Sequence, residues 1–281
     1  MQEPKTIAII GPGAMAEAII GGLLRKSITK PERILAAGPN PERTAELQSR
    51  YGVQPFADNC AAAAQGDVLI LSIKPQRLTK VLPELAGRVR PNALVLSIVA
   101  GATIHSLAEG LKHAAVVRSM PNTPAQIGEG VSVWAAASAV TAEQRDLARQ
   151  ILGALGQEVF VEDESYLDMA TALSGTGPAY VFLFMEGLID AGVHMGLPRR
   201  IAEQLVQETI LGSVSYYQKN RIHPAQLRNH VTSPGGTTAA ALYYLEKAGF
   251  RTALSRAIWA AYERTLELGR GLNTQPPDSK D

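Results

Sequence analysis

The residues best suited to chemistry lie in a few short stretches, and the first is IAIIGPGAMAEAI near the N-terminus. There Gly11, Gly13 and Ala16 fill a G-x-G-x-x-G/A pattern between a β-branched run and a segment with helical periodicity. In that pattern the first glycine permits a tight turn, the second lets the backbone approach a pyrophosphate, and a small third residue lets helix and strand pack closely. The following helix N-terminus then faces the phosphate charge. The stretch therefore points to a bound dinucleotide.

Further along, the second β-branched run ends in Ala36, Ala37, Gly38, Pro39 and Asn40, with no acidic residue to accept from a ribose 2′-hydroxyl. Asn40 and Arg43 could instead donate to a 2′-phosphate. A hydrogen bond to a charged group is worth roughly 1.5–3 kcal/mol, or about tenfold to a hundredfold in preference for NADPH over NADH. The plainer alternative makes Glu42 and Arg43 solvated residues of a helix's first turn. In LSIKPQ, residues 71 to 76, an apolar strand ends in Lys74 and Pro75, where parallel strands line a ligand crevice. Lys74 is placed to meet cofactor negative charge or is merely solvated, and Asn59 is placed toward the adenosine side.

Two later loops extend the pattern. SMPNTPAQIGEG, residues 119 to 130, is stiffened by proline and contains Asn122; it suits a nicotinamide pocket or substrate floor, or is an ordinary turn cluster. SGTGPAY, residues 174 to 180, and VTSPGGTTAAAL, residues 231 to 242, lie among helical segments. In the latter, glycines and hydroxyls precede a helix, so N–H groups of residues 235 to 238 would be free for an anion such as a carboxylate, unless the loop is simply capped.

The elements that must carry these loops follow from periodicity. Apolar runs at Ile7–Ile10, Arg33–Ala37, Val68–Ile73, Leu94–Val99, Ala115–Arg118, Val131–Trp134 and Val159–Val161 read as strands covered on both faces. Ala14–Leu24 reads as a helix, and Thr141–Leu155 opens with Thr141 and Gln144 at capping-box spacing. This alternation predicts a Rossmann-type α/β domain with a doubly wound parallel sheet over residues 1–162. Beyond it, Tyr166–Leu173, Pro178–Met195, Pro198–Lys219, Pro224–His230, Ala239–Lys247 and Phe250–Arg270 show helical periodicity, which predicts an all-helical domain over residues 163–281. The closing LNTQPPDSKD reads as a frayed tail.

Composition narrows the partners. The chain has 281 residues, 27 basic against 26 acidic, which argues against nucleic acid or an anionic membrane. The single cysteine, Cys60, allows no internal disulfide. No secretory leader is expected in MQEPKTIAII, and no apolar run approaches the roughly 20 residues of a membrane span, so a cytoplasmic protein is expected. His105, His113, His194, His223 and His230 lack metal-ligand spacing, so no metal site is expected. Tyr216, Tyr217, Tyr243 and Tyr244 suit core or dimer packing.

Taken in order, GPGAMAEAI, SIKPQ, MPNTPA, SGTGPAY, GLPRR and LRNHVTSPGGTTAAALYYLE resemble the successive motifs of the pyrroline-5-carboxylate reductases, from Ile10 to Glu246. The resemblance implies reduction of the cyclic imine 1-pyrroline-5-carboxylate to L-proline with NADPH, NADH being the alternative donor. It implies cofactor contacts from Ile10, Gly11, Pro12, Gly13, Ala14, Met15, Asn59, Ser72, Ile73, Lys74, Pro75 and Ala100. It places Ser233, Gly235, Gly236, Thr237 and Thr238 around the substrate, with the Thr238 hydroxyl near the ring nitrogen, and Glu164 as a further substrate-site acid. An intertwined homodimer through the C-terminal helices, with dimers associating further, is also implied. Pro12, Ala14 and Val99 depart from the family's usual residues.

The chemistry needs no protein nucleophile and no metal, because the hydride comes from the cofactor. It needs a donor at the imine nitrogen, for which Thr238 is the candidate, and a grip on the carboxylate, for which Gly235, Gly236 and Thr237 are the candidates. Two competing readings are a hydroxyacid dehydrogenase and a non-catalytic NADPH-binding module. The first requires a lysine on the first long helix after the sheet, and Thr171 to Val193 contains none.

Overall fold

The computed structural model describes residues 5–269; Arg270 and the tail read as frayed lie outside the described residues. Eight strands form one sheet: β1 (Ile7–Ile10), β2 (Ile34–Ala37), β3 (Gln54–Phe56), β4 (Val68–Leu71), β5 (Leu94–Ser97), β6 (Val116–Met120), β7 (Gly130–Ala136) and β8 (Gly156–Phe160). Their order is β3-β2-β1-β4-β5-β6-β7-β8. Six helices belong with them: α1 (Ala14–Arg25), α2 (Pro41–Tyr51), α3 (Asn59–Ala63), α4 (Leu78–Leu85), α5 (Ile104–Leu111) and α6 (Ala142–Gly153).

Alternation along each strand sorts the core into two layers. Ile7 and Ile9 face one way, against Ile19, Ile20 and Leu23 of α1, Leu47 of α2, and Ile151 and Leu152 of α6. Ala8 and Ile10 face the other, against Ala62 and Ala63 of α3, Leu82 and Leu85 of α4, and Leu107 and Leu111 of α5. This is why the strands read as apolar throughout: both faces of the doubly wound sheet are covered.

Two features depart from the sequence expectation. The sheet is not wholly parallel, since β7 runs antiparallel to β6, while β8 runs parallel to β7. The cause is the short connection, a single 3₁₀ segment over Thr123–Ile127, where a parallel return needs a crossover of a dozen or more residues. β3 was not anticipated; its sequence, QPF, is short, exposed and contains proline, as a sheet edge permits. The capping box does form: Thr141 accepts from the Gln144 N–H while Gln144 accepts from the Thr141 N–H.

The remaining helices are α7 (Tyr166–Ala170), α8 (Gly177–His194), α9 (Arg199–Asn220), α10 (Pro224–His230), α11 (Thr237–Lys247) and α12 (Phe250–Gly269), with a π-helical turn over Thr171–Gly175 joining α7 to α8. By contact the described chain divides into one unit of residues 5–177 with 261–269 and a second of 178–260. Glu164 and Asp168 are ion-paired with Arg118 of β6 and keep α7 with the sheet in this division. In the second unit only Gly192 and Ala202 are buried among the described residues. Tyr166–His194 is also long and apolar enough to cross a membrane, 29 residues with a mean hydropathy of 1.2 in its most apolar window. No uninterrupted apolar run marks it, because glycine, threonine and single acids break the run without making it polar.

The first two helices are tied by charge. Glu17 on α1 takes Arg43 and Arg50 of α2 and the Tyr51 hydroxyl, the last at 3.0 Å. The Arg43 hydrogen bond holds the Glu17 carboxyl below the usual carboxylate range, although burial opposes it. A carboxyl held low when folded contributes stability that is present above its unfolded pKa and lost as pH falls through the folded one. Glu17→Gln is therefore expected to lower stability by about 1–2 kcal/mol at neutral pH, with the difference from wild type shrinking below about pH 4. Denaturant titrations across pH check this, and a constant difference down to acid pH would contradict it.

Candidate functional site

At the carboxyl end of β1 the chain has no room for a side chain. Gly11 is left-handed, with φ +94°, and a Cβ there would come 2.5 Å from the Ser72 carbonyl oxygen and 2.7 Å from Ile73 Cγ2. Its N–H donates to the Ala37 carbonyl at 2.9 Å. The turn thus leaves the sheet between the ends of β2 and β4, where strand order reverses and open α/β sheets bind their ligands. Gly13 caps α1 and faces open space. Ala14 is exposed and Met15 half-buried beside it.

Pro12, one of the departures, is buried against Gly38, where a Cβ would come 2.4 Å from Pro12 Cδ. Arg43 reaches across to hold this loop, its Nε donating to the Pro12 carbonyl at 2.9 Å. The rest of its guanidinium is engaged by Glu46, at 2.5 Å, and by Glu17. Arg43 is thus a loop tether already paired with two carboxylates. Asn40 caps α2 through Oδ1, accepting from the Glu42 and Arg43 N–H groups at 3.0 and 3.4 Å, and its Nδ2 remains the side chain's donor.

On the other side of the turn, Ser72 donates its N–H to the Ile10 carbonyl at 2.9 Å, and Ile73 packs against Gly11. Lys74 is exposed and precedes the 3₁₀ turn Pro75–Arg77. Asn59 opens α3 with its Oδ1 buried and without a partner among the described residues. A glycine cradle that any Cβ would fill, open space before a helix N-terminus and an orphaned buried amide oxygen together fit a dinucleotide. Ala100 follows β5, half-buried.

Asn122 follows β6 and is used at both ends of its amide: Nδ2 donates to the Ser174 carbonyl at 3.2 Å, and Oδ1 accepts from Val131 N–H at 2.9 Å. It therefore joins the MPNTPA loop to the SGTG turn. Glu164, the expected substrate-site acid, lies on Arg118 at 2.9 Å and accepts from the Ile104 N–H at 2.7 Å, at the start of α5. Arg118 and Asp168, its other partner, escaped the sequence reading; a lone arginine inside the apolar run VVRSM was the available signal.

In the helical unit, Gly235 is left-handed, with φ +69°, and Gly236 caps α11. The Gly236 N–H donates to the Ser233 carbonyl at 3.0 Å, so not every N–H of residues 235 to 238 is free, as had been expected. The N–H groups of Thr237 and Thr238, in the first turn of an 11-residue helix, have no partner among the described residues. Ser233 stands close by, its Oγ 2.6 Å from where a Gly236 Cβ would lie. The loop keeps the form of an anion site, with two backbone donors and hydroxyls around them.

Comparison with known proteins agrees with both units. Residues 164–268 match the family described as pyrroline-5-carboxylate reductase dimerisation, and residues 6–101 match NADP oxidoreductase coenzyme F420-dependent. The pyrroline-5-carboxylate reductase of Synechocystis is 44% identical over 94% of this chain and 98% of its own length; that of Pisum sativum is 38% identical over 95% and 97%. A Plasmodium falciparum pyrroline carboxylate reductase crystallised with NADP bound aligns at a TM-score of 0.88, with 33% identity over 96% of this chain and all of the other. With identities above 30% along nearly the whole length, the chain belongs to the pyrroline-5-carboxylate reductase family.

Proposed function

We propose that this chain reduces 1-pyrroline-5-carboxylate to L-proline in the cytoplasm, using NADPH held by the turn at Gly11 and acting as a homodimer built through its C-terminal helices. The observation that carries the reading is the pairing of motifs: a glycine turn fit for pyrophosphate on the sheet and a Ser-Pro-Gly-Gly-Thr-Thr loop with free N–H groups on the helical unit. Bacterial, plant and protozoan relatives bear the reductase's name, and the protozoan one holds NADP.

Ile10 to Met15, Asn59, Ser72 to Pro75 and Ala100 would hold the cofactor, and when bound it supplies the hydride. The chain's own residues supply the rest. Thr237 and Thr238 N–H groups, with Ser233, grip the substrate carboxylate and so orient the ring. The Thr238 hydroxyl donates to the imine nitrogen; as hydride adds to the carbon, the C=N π pair moves onto nitrogen and takes up that proton, which solvent returns to Thr238. Losing such a donor costs roughly tenfold to a hundredfold. Thr238→Ala is expected to lower kcat/KM by about that factor with NADPH affinity unchanged; full turnover, followed by absorbance at 340 nm, would remove Thr238 from the role.

Arg43 and Asn40 flank the expected 2′-phosphate position. Arg43→Met is expected to weaken both cofactors through the Pro12 tether, yet to cut the NADPH-to-NADH ratio of kcat/KM by about tenfold. An unchanged ratio would place the 2′-phosphate elsewhere.

The dimer reading rests on apolar surface. Phe182 and Leu183 on α8, Leu211 on α9 and Tyr244 on α11 are each at least 60% exposed in the single chain. A large side chain buried from such a position contributes roughly 1.5–3 kcal/mol, and so wide an apolar surface marks a partner-binding face. A second copy is the partner that the dimerisation family favours over lipid. Sedimentation at micromolar concentration is expected to give a species of two chains or a multiple of two, and Leu183→Asp to shift it toward one chain. A wild-type monomer would refute the assembly.

A further inference from the structure

On one face of β6 and its continuation, residues two apart hold the same helical segment. Arg118, with a side chain only 3% exposed, grips Glu164 and Asp168 at the segment's start. Met120 lies beneath Gly175, where a Cβ would come 2.8 Å from Met120 Cε. Asn122 holds the Ser174 carbonyl at 3.2 Å. What lies clamped between these contacts is the π-helical turn Thr171–Gly175, in which the Thr176 N–H reaches the Thr171 carbonyl at 2.8 Å. Such turns are rare in proteins and recur at functional sites.

We propose that Arg118 is a positioning residue for the reduction: through Glu164 and Asp168 it fixes the segment 164–176 on β6, so that Ser174 and the loop held by Asn122 keep one arrangement at the sheet's carboxyl edge. Arg118 contacts neither cofactor nor substrate in this role. Glu164 is then a strut, held at once by the guanidinium and by the Ile104 N–H, which ties the segment to the start of α5 as well. The geometry explains why a guanidinium serves here, since its two terminal nitrogens each take a separate carboxylate where an ammonium presents a point charge.

The inference rests on reading the carboxyl end of β6 as the nicotinamide side. The test uses hydrogen exchange on the full chain without nucleotide, followed by kinetics. Arg118→Gln is expected to speed exchange at amides 171–176 by about tenfold or more while the amides of β1 and β4 keep their wild-type rates, as local opening requires. With the imine as substrate, kcat should fall about tenfold with NADPH affinity held. The kinetic isotope effect from NADPH deuterated at the transferred position should rise, because looser alignment makes hydride transfer slower relative to the other steps. Arg118→Lys should recover part of kcat. Exchange quickened equally across the sheet, or kcat falling only as NADPH affinity falls, would overturn the proposal. If Arg118→Gln does not fold, Asp168→Asn keeps the Arg118–Glu164 pair and should show the same local pattern more weakly; wild-type exchange at 171–176 would again overturn it. The underlying reading fails separately, if Asn122→Ala leaves kcat and the isotope effect unchanged; an effect at Asn122 with none at Arg118 sinks only the inference.

Discussion

The backbone crossing at Gly11 is the constraint from which the rest of the site follows. There β1 leaves the sheet so close to the Ser72 carbonyl that only hydrogen fits, and in a left-handed conformation that costs an ordinary residue about 1–2 kcal/mol. The crossing aims the first turn of α1 outward with Gly13 before open space. The same loop is braced from behind: Pro12 sits on Gly38, Arg43 holds the Pro12 carbonyl, and Glu17 and Glu46 hold Arg43. The loop is thus held by an arginine that is itself fixed by two carboxylates. A turn fixed in this way incurs little ordering cost when a dinucleotide arrives, which is what preorganisation contributes to affinity.

The two units obey opposite rules of burial. In the first, the central strands β1, β2, β4 and β5 are buried on both faces, and exposure is confined to the edge strands. In the second, helices as long as 22 residues bury almost nothing within the chain. An isolated helix gains most of its stability from packing an apolar face, so the second unit draws that stability from surface that this chain alone does not cover. The anion-type loop Ser233–Thr238 sits in that unit, and its rigidity is therefore linked to whatever covers the helices.

What could be read in the sequence was set by the range of the interactions. The glycine turn, the strands of the double-sided core and the Thr141–Gln144 cap are local patterns, and each reappears at its expected place. The direction of β7 was hidden because an apolar run looks the same whichever way the strand runs; the short link before it was the only clue. β3 was hidden because an exposed edge needs no apolar pattern. The hold of Arg43 on Pro12 and Glu17, and of Asn122 on Ser174, could not be foreseen, since those partners lie far along the chain. The SPGGTT loop shows the boundary within one motif: its helix N-terminus was legible, whereas the Gly236 N–H turned inward to Ser233 was not.

Arg118 was the hardest residue to read and is the most instructive energetically. Its carboxylates stand 46 and 50 residues away, so no local pattern joins them. Burying a guanidinium costs several kcal/mol, and partner charges repay that only when the geometry is good; well-packed apolar residues often do as well for stability alone. A buried ion triad is therefore a weak device for holding a fold together. It is a strong device for fixing one arrangement, because a guanidinium that loses either carboxylate is left buried with its charge poorly compensated. Apolar contacts between β6 and α7 would tolerate sliding along the strand, and the ion triad does not. A reaction that depends on where a carbon faces a hydride needs that second property more than the first.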